Sequence, residues 1–129
     1  MIDIPKEVSD DEYLNRRIHP TFVKPDGSLS SQAFRDIEMS VDRAIYRSVK
    51  ESLLNYKGFG LAKLIAMAAR NENLEVIGAQ ELLNPSHALI IGKKTKSISR
   101  RLAKLSEWII SIGEDICDYD AANLIKQTQ

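Results

Sequence analysis

The stretch Asn84-Pro85-Ser86-His87-Ala88-Leu89-Ile90-Ile91-Gly92-Lys93-Lys94-Thr95-Lys96-Ser97 constrains the fold more than any other part of this chain. An asparagine-proline turn leads into a short apolar run that stops at a glycine. Bounded by turn residues, that run reads as a buried strand over His87–Ile91. After Gly92 the period changes. Ile98, Leu102, Leu105, Ile109 and Ile112 recur at steps of four, three, four and three, which predicts an amphipathic helix over residues 97–112. Gly113 stands where a left-handed residue would end that helix.

Upstream, residues 13–19 read as a strand that stops at Pro20, because the residue before proline is pushed away from helix. Residues 21–24 and 28–34 read as two short strands around the Pro25-Asp26-Gly27 turn. From Ser40 a helix is expected, with Ser40 as cap and Val41, Ile45, Val49, Leu53 and Tyr56 on one stripe. Gly58 and Gly60 mark its end, and the alanine-rich segment 61–70 favours a second helix, with a strand as the alternative. Residues 74–77 read as another buried strand, and the tail from Glu114 as a further helical turn or two through Ile116, Tyr119 and Leu124. Short connections and an irregular order of elements predict α+β: one small domain over residues 1–129, strands packed with two or three helices, and residues 1–12 as a mobile acidic arm.

Composition narrows the function classes. Formal net charge is zero, with 18 basic and 18 acidic residues, so bulk attraction to nucleic acid or anionic lipid is not expected. Placement is uneven, however. Residues 93–104 carry Lys93, Lys94, Lys96, Arg100, Arg101 and Lys104 without an acid, whereas acids crowd residues 3–12 and 114–120. Cys117 is the only cysteine, which excludes an internal disulfide and a thiolate-rich zinc site. No signal-peptide pattern and no membrane-spanning apolar run is present, so a cytoplasmic location is expected, without membrane association.

Two constellations carry chemistry. The first is the junction after Gly92. Backbone N–H groups at a helix start carry the positive end of the dipole, and Lys93, Lys94, Thr95 and Ser97 gather beside them. The phosphate-loop motif itself fails, since His87 stands where its first glycine belongs and Lys94 where its hydroxyl belongs. Arg101, Lys104 and Trp108 share a helix face, and an indole beside two cations suits stacking on a base or contact with phosphate. These seven residues form the expected anion-binding surface, for nucleic acid or a nucleotide. The competing reading is a capped helix with solvated lysines and a tryptophan packed under their stems.

The second constellation is His19 and His87, each beside a proline-containing turn, with Arg17 close to the first. Two imidazoles and a cation suit metal-independent phosphodiester cleavage, provided that they converge. No metal or other cofactor is expected, because two histidines and one remote cysteine make a poor ligand set. Serine-hydrolase, zincin and dinucleotide motifs are missing.

Arg16-Arg17-Ile18-His19-Pro20, Pro25-Asp26-Gly27, Ser30-Ser31-Gln32-Ala33-Phe34, Ser40-Val41-Asp42 and Asn84-Pro85-Ser86-His87-Ala88 together resemble a group of small uncharacterised bacterial proteins, over roughly residues 13–92. The resemblance implies a bacterial cytoplasmic protein and brings no activity. The Arg-x-His strand and the later serine segment are distantly similar to small ADP-ribosyltransferase-like toxins, although a matching acidic residue cannot be placed. Three readings stand at this point. A binding module with a basic surface over residues 92–108 comes first. The alternatives are a toxin-like enzyme using His19 and His87, and an immunity- or antitoxin-like partner of another protein. Oligomeric state is not fixed by any of them.

Overall fold

A computed structural model describes residues 4–114. Its centre is a six-stranded sheet of strands β1 (Tyr13–Ile18), β2 (Glu38–Arg43), β3 (Gly60–Ile65), β4 (Glu75–Gly78), β5 (His87–Ile91) and β6 (Glu107–Ile110). The order across the sheet is β4-β5-β2-β1-β3-β6, and every neighbouring pair is antiparallel. Three helices, α1 (Val49–Ser52), α2 (Ala66–Arg70) and α3 (Lys96–Leu105), complete the single α+β domain. None of the described helices is long and apolar enough to cross a membrane.

Side chains alternate across a strand, so each strand sends one set to either face. Leu14 and Ile18 of β1, Met39 and Val41 of β2, Leu64 of β3 and Ile90 of β5 are buried together on one face, against Phe34 and Leu102. Helix α3 covers this face. Leu102 is fully buried and Ser99 donates its hydroxyl to the Phe34 carbonyl at 2.9 Å. The opposite face mixes apolar residues such as Leu61, Ile65 and Leu89 with a polar row. Cross-strand pairing puts His87, Asp42, Asn15, Lys63 and Glu107 in one row across five strands.

Several expectations need correction. Ser40 does not cap a helix: it lies inside β2, and Val41 and Asp42 point to opposite faces. Of the expected stripe only Val41 lies in β2: Ile45 falls in a 3-10 turn at Ala44–Tyr46, Val49 opens the four-residue α1 capped by Ser48, and Leu53 and Tyr56 follow its end. The segment 61–70 splits into β3 and α2, where its alternative reading applies to the first half. Gly60 opens β3 because a Cβ there would meet the Trp108 ring at 2.7 Å and the Ile110 carbonyl at 2.8 Å. The predicted hairpin over residues 21–34 is reduced to a single Val23–Leu29 bridge, flanked by 3-10 turns at Pro20–Phe22 and Ser31–Phe34.

Helix α3 starts within a residue of the expected position and stops seven residues early. Ser106 takes an extended conformation, and β6 follows. Leu105 is therefore 56% exposed, and Ile109 belongs to a strand. Gly113 is left-handed at φ 87°, but it follows β6 instead of closing a helix. Residues 4–12 of the expected mobile arm are docked on the domain: Ile4 and Val8 are buried, Glu7 bridges Ile77, and Gly78 donates to the Lys6 carbonyl at 2.8 Å. The tail helix expected from Glu114 through Ile116, Tyr119 and Leu124 falls almost wholly outside the described residues.

Candidate anion-binding groove

Helix α3 begins with Thr95 as its cap, the Thr95 hydroxyl accepting from the Ile98 N–H at 3.2 Å. From there Lys96, Arg100 and Lys104 follow at steps of four and share a face. That face borders a cavity of about 640 Å³ whose other side is the turn after Val23, which contributes Lys24 and Ser28. Trp108, entering from β6, borders the same space, its indole N–H donating to the Gly27 carbonyl at 3.2 Å. The lining holds Lys24, Lys96, Arg100 and Lys104 and no carboxylate. None of these four has an ion-pair partner among the described residues.

Two of the seven expected anion-binding residues, Lys104 and Trp108, line this groove. The others do not. Lys94 is turned inward and is only 8% exposed. Its ammonium donates to the carbonyls of Asp36, Ile37, Ile90 and Gly92, and burial pulls its pKa down despite the nearby Asp36. Arg101 is clamped on Glu72 through two bonds of 2.7 Å, and that hydrogen bonding raises its pKa. Thr95 is occupied as a cap, while Lys93 and Ser97 are exposed outside the lining. Sequence reasoning missed Lys96 and Arg100, although their spacing from Lys104 was a readable signal. Lys24 had none, because only the tertiary fold brings its turn against α3.

The histidine pair does not form. His87 pairs with Asp42, which pairs with Asn15, and His19 lies four residues beyond Asn15. At ~3.3 Å per residue and ~4.8 Å per strand, this leaves the two Cα atoms roughly 16 Å apart. General acid and base acting on one phosphate both need hydrogen-bond reach of it, so the expected acid–base pair is corrected. Each ring has a structural task. His19 accepts from the Thr21 N–H at 3.1 Å, capping the 3-10 turn, and packs edge-on to Phe59. The Nδ1 of His87 lies 2.8 Å from the Ala79 carbonyl, which can only accept, so the proton sits there and Nε2 faces the Ser40 hydroxyl at 3.1 Å.

Arg17 is likewise committed. Its guanidinium bonds the Asp42 carboxylate at 3.1 Å and the Ser52 carbonyl at 2.6 Å, and it lies over the Tyr56 ring. Asp42 is fully buried and also accepts from Ser52 at 2.7 Å and Asn84 at 2.8 Å, with Arg47 alongside at 3.6 Å. This network ties the segment after β2 to the sheet. Among the described residues no cluster of histidine, cysteine, aspartate and glutamate is arranged to hold a metal ion. No family model, curated protein or solved structure matches the chain.

Proposed function

We propose that this protein is a cytoplasmic binding module for single-stranded nucleic acid, held in the groove between α3 and the turn at residues 24–28. The observation that carries the reading is the convergence of Lys24, Lys96, Arg100 and Lys104 beside Trp108, with no ion pair to any of the four and no lining carboxylate among the described residues, Asp26 near Lys24 lying outside the lining. Unpaired cations at this density repel one another and are relieved by a polyanion, which also releases its condensed counterions. The groove is open, as a chain threading through it requires, and the indole fixed by Gly27 offers an apolar wall for a base. Zero net charge fits the same reading, because acids elsewhere limit attraction to the rest of the surface.

Trp108 is the chain's only tryptophan, so its fluorescence reports on the groove directly. Titration with a short oligothymidylate at low salt is expected to quench it. Four phosphate contacts predict a log–log salt slope of about −3, at ~0.7 per contact for a single strand. The Lys96→Ala/Arg100→Ala variant should lose about half of that slope, while Lys93→Ala should bind like the wild type. Absence of binding at low salt, or an unchanged affinity in the double variant, overturns the reading.

A further inference from the structure

The groove between α3 and the turn at residues 24–28 carries hydroxyls as well as cations. Ser28 and Ser31 border it on the side of the turn, and Ser106 borders it at the end of α3, near Lys104 and Trp108. Two of the three hydroxyls have already given their protons away. Ser28 donates to the Asp26 carboxylate at 2.6 Å, and Ser106 donates to the Leu102 carbonyl at 2.8 Å. The Ser28 hydroxyl, first among the causes, holds the Asp26 carboxyl below its ordinary range, so that group is an ionised acceptor and the direction of the bond is fixed. Ser28 is exposed and Ser106 half-buried. Each oxygen keeps a lone pair and has no proton left to offer, so it can only accept. The half-buried Ser31 hydroxyl makes no hydrogen bond among the described residues.

That acceptor character decides which part of a strand these oxygens can meet. Phosphate oxygens only accept, as does the ring oxygen of the sugar, so the cations suit the phosphates and the hydroxyls need a donor. On the backbone only the ribose 2′-hydroxyl supplies one, and DNA lacks it. Base N–H groups donate too, but they change with sequence, whereas the 2′-hydroxyl recurs at every nucleotide. The spacing of the cations makes it accessible. Lys96, Arg100 and Lys104 stand about 6 Å apart along α3, at ~1.5 Å of rise per residue. A stacked strand advances only ~3.4 Å per nucleotide, so one that sets successive phosphates on these cations is drawn out, with its sugars open to the groove wall.

We infer that the groove selects RNA over DNA, with Ser28 and Ser106 accepting hydrogen bonds from ribose 2′-hydroxyls and Ser31 free to give or take one. The inference rests on the reading of the groove as a single-strand site and adds the sugar to it. The test compares oligouridylate with oligodeoxyuridylate of equal length, followed through Trp108 fluorescence in the full chain. The base is the same, so only the sugar differs. Oligouridylate should bind at least ~5-fold tighter, the contribution of one neutral hydrogen bond, with the same salt slope because the phosphate contacts are the same. A 2′-fluoro strand keeps an RNA-like sugar pucker without the donated proton, and should bind like the deoxy strand. Ser28→Ala/Ser106→Ala should lose most of the preference while holding the deoxy strand as before, and Ser28→Ala, at an exposed position, should lose part of it. Equal affinity for the ribo and deoxy strands overturns the inference and leaves the groove reading standing. So does a 2′-fluoro strand that binds as tightly as RNA, or a double variant that keeps the full preference. Binding of neither strand at low salt overturns both.

Discussion

Lys94 separates two roles that a surface lysine and a buried one play, and its replacement by methionine tests which applies. Methionine keeps most of the apolar stem and removes only the ammonium. In the wild type that ammonium lies 2.5 Å from the Asp36 carbonyl, 2.9 Å from Gly92, 3.1 Å from Ile90 and 3.2 Å from Ile37. Three N–H groups serve four oxygens, so the bonds are shared. The Ile37 carbonyl keeps the Gly92 N–H after the change, at 2.9 Å. The rest lose a charged donor, and a hydrogen bond to a charged group contributes ~1.5–3 kcal/mol. Burying the lysine has its own cost, the same burial that pulls its pKa down, and methionine recovers it. The net loss should be about 2–4 kcal/mol, which for a domain of this size lowers Tm by roughly 10 °C. Lys94→Arg should not restore stability, since a planar fork cannot point at four oxygens gathered around one nitrogen. Thermal and urea melts followed by circular dichroism measure both. A Lys94→Met protein melting within a degree or two of the wild type refutes the structural role. One that stays folded but no longer binds oligonucleotide would return Lys94 to the anion site.

Two further expectations concern the core and the acid limb. Leu102→Ala should cost about 2–5 kcal/mol, whereas Leu105→Ala, on the exposed side of the same helix, should cost well under 1 kcal/mol; equal costs in urea melts would contradict the placement of α3. Glu12 is drawn upward in pKa by burial, but its bonds to Arg43 and to the Ser9 N–H outweigh that and hold it below the ordinary 4.5. A depressed folded pKa gives stability that is present above the ordinary value and is lost as pH falls through the folded one. Tm should therefore fall below about pH 4.5 in the wild type, and the Glu12→Gln profile should be flatter over that window; parallel profiles would exclude the contribution.

Strand β1 was legible because Pro20 ends it, and β5 because its short apolar run lies between the Asn84-Pro85 turn and Gly92. Strand β2 was hidden because Val41 lines up numerically with Ile45, Val49 and Leu53, which belong to later turns and to α1, and only the pairing of Asp42 with both Asn15 and His87 reveals the strand. The end of α3 was hidden for a related reason. Ile109 and Ile112 continue the numerical stripe, yet Ser106 turns the chain to lay Trp108 beside Ala62. In the groove, the lysines and arginine of α3 were visible as a class, but which of them face inward depends on partners distant in sequence. Glu72 takes Arg101 and four carbonyls take Lys94. The lack of a hydrogen-bond partner for the buried Asn15 Oδ1 among the described residues has no sequence signature at all.

The strand order has a consequence for the newborn chain. Strand β1 leaves the ribosome first and sits near the middle of the sheet, yet its second neighbour, β3, is completed only at residue 65. The apolar face shared by β1, β2 and β3 waits longer still, because its lid, Leu102, belongs to α3. More than a hundred residues must emerge before that face is sealed, and pairings this distant in sequence close slowly. During translation, the half-made sheet exposes Leu14, Ile18, Met39 and Val41 to whatever waits at the tunnel exit.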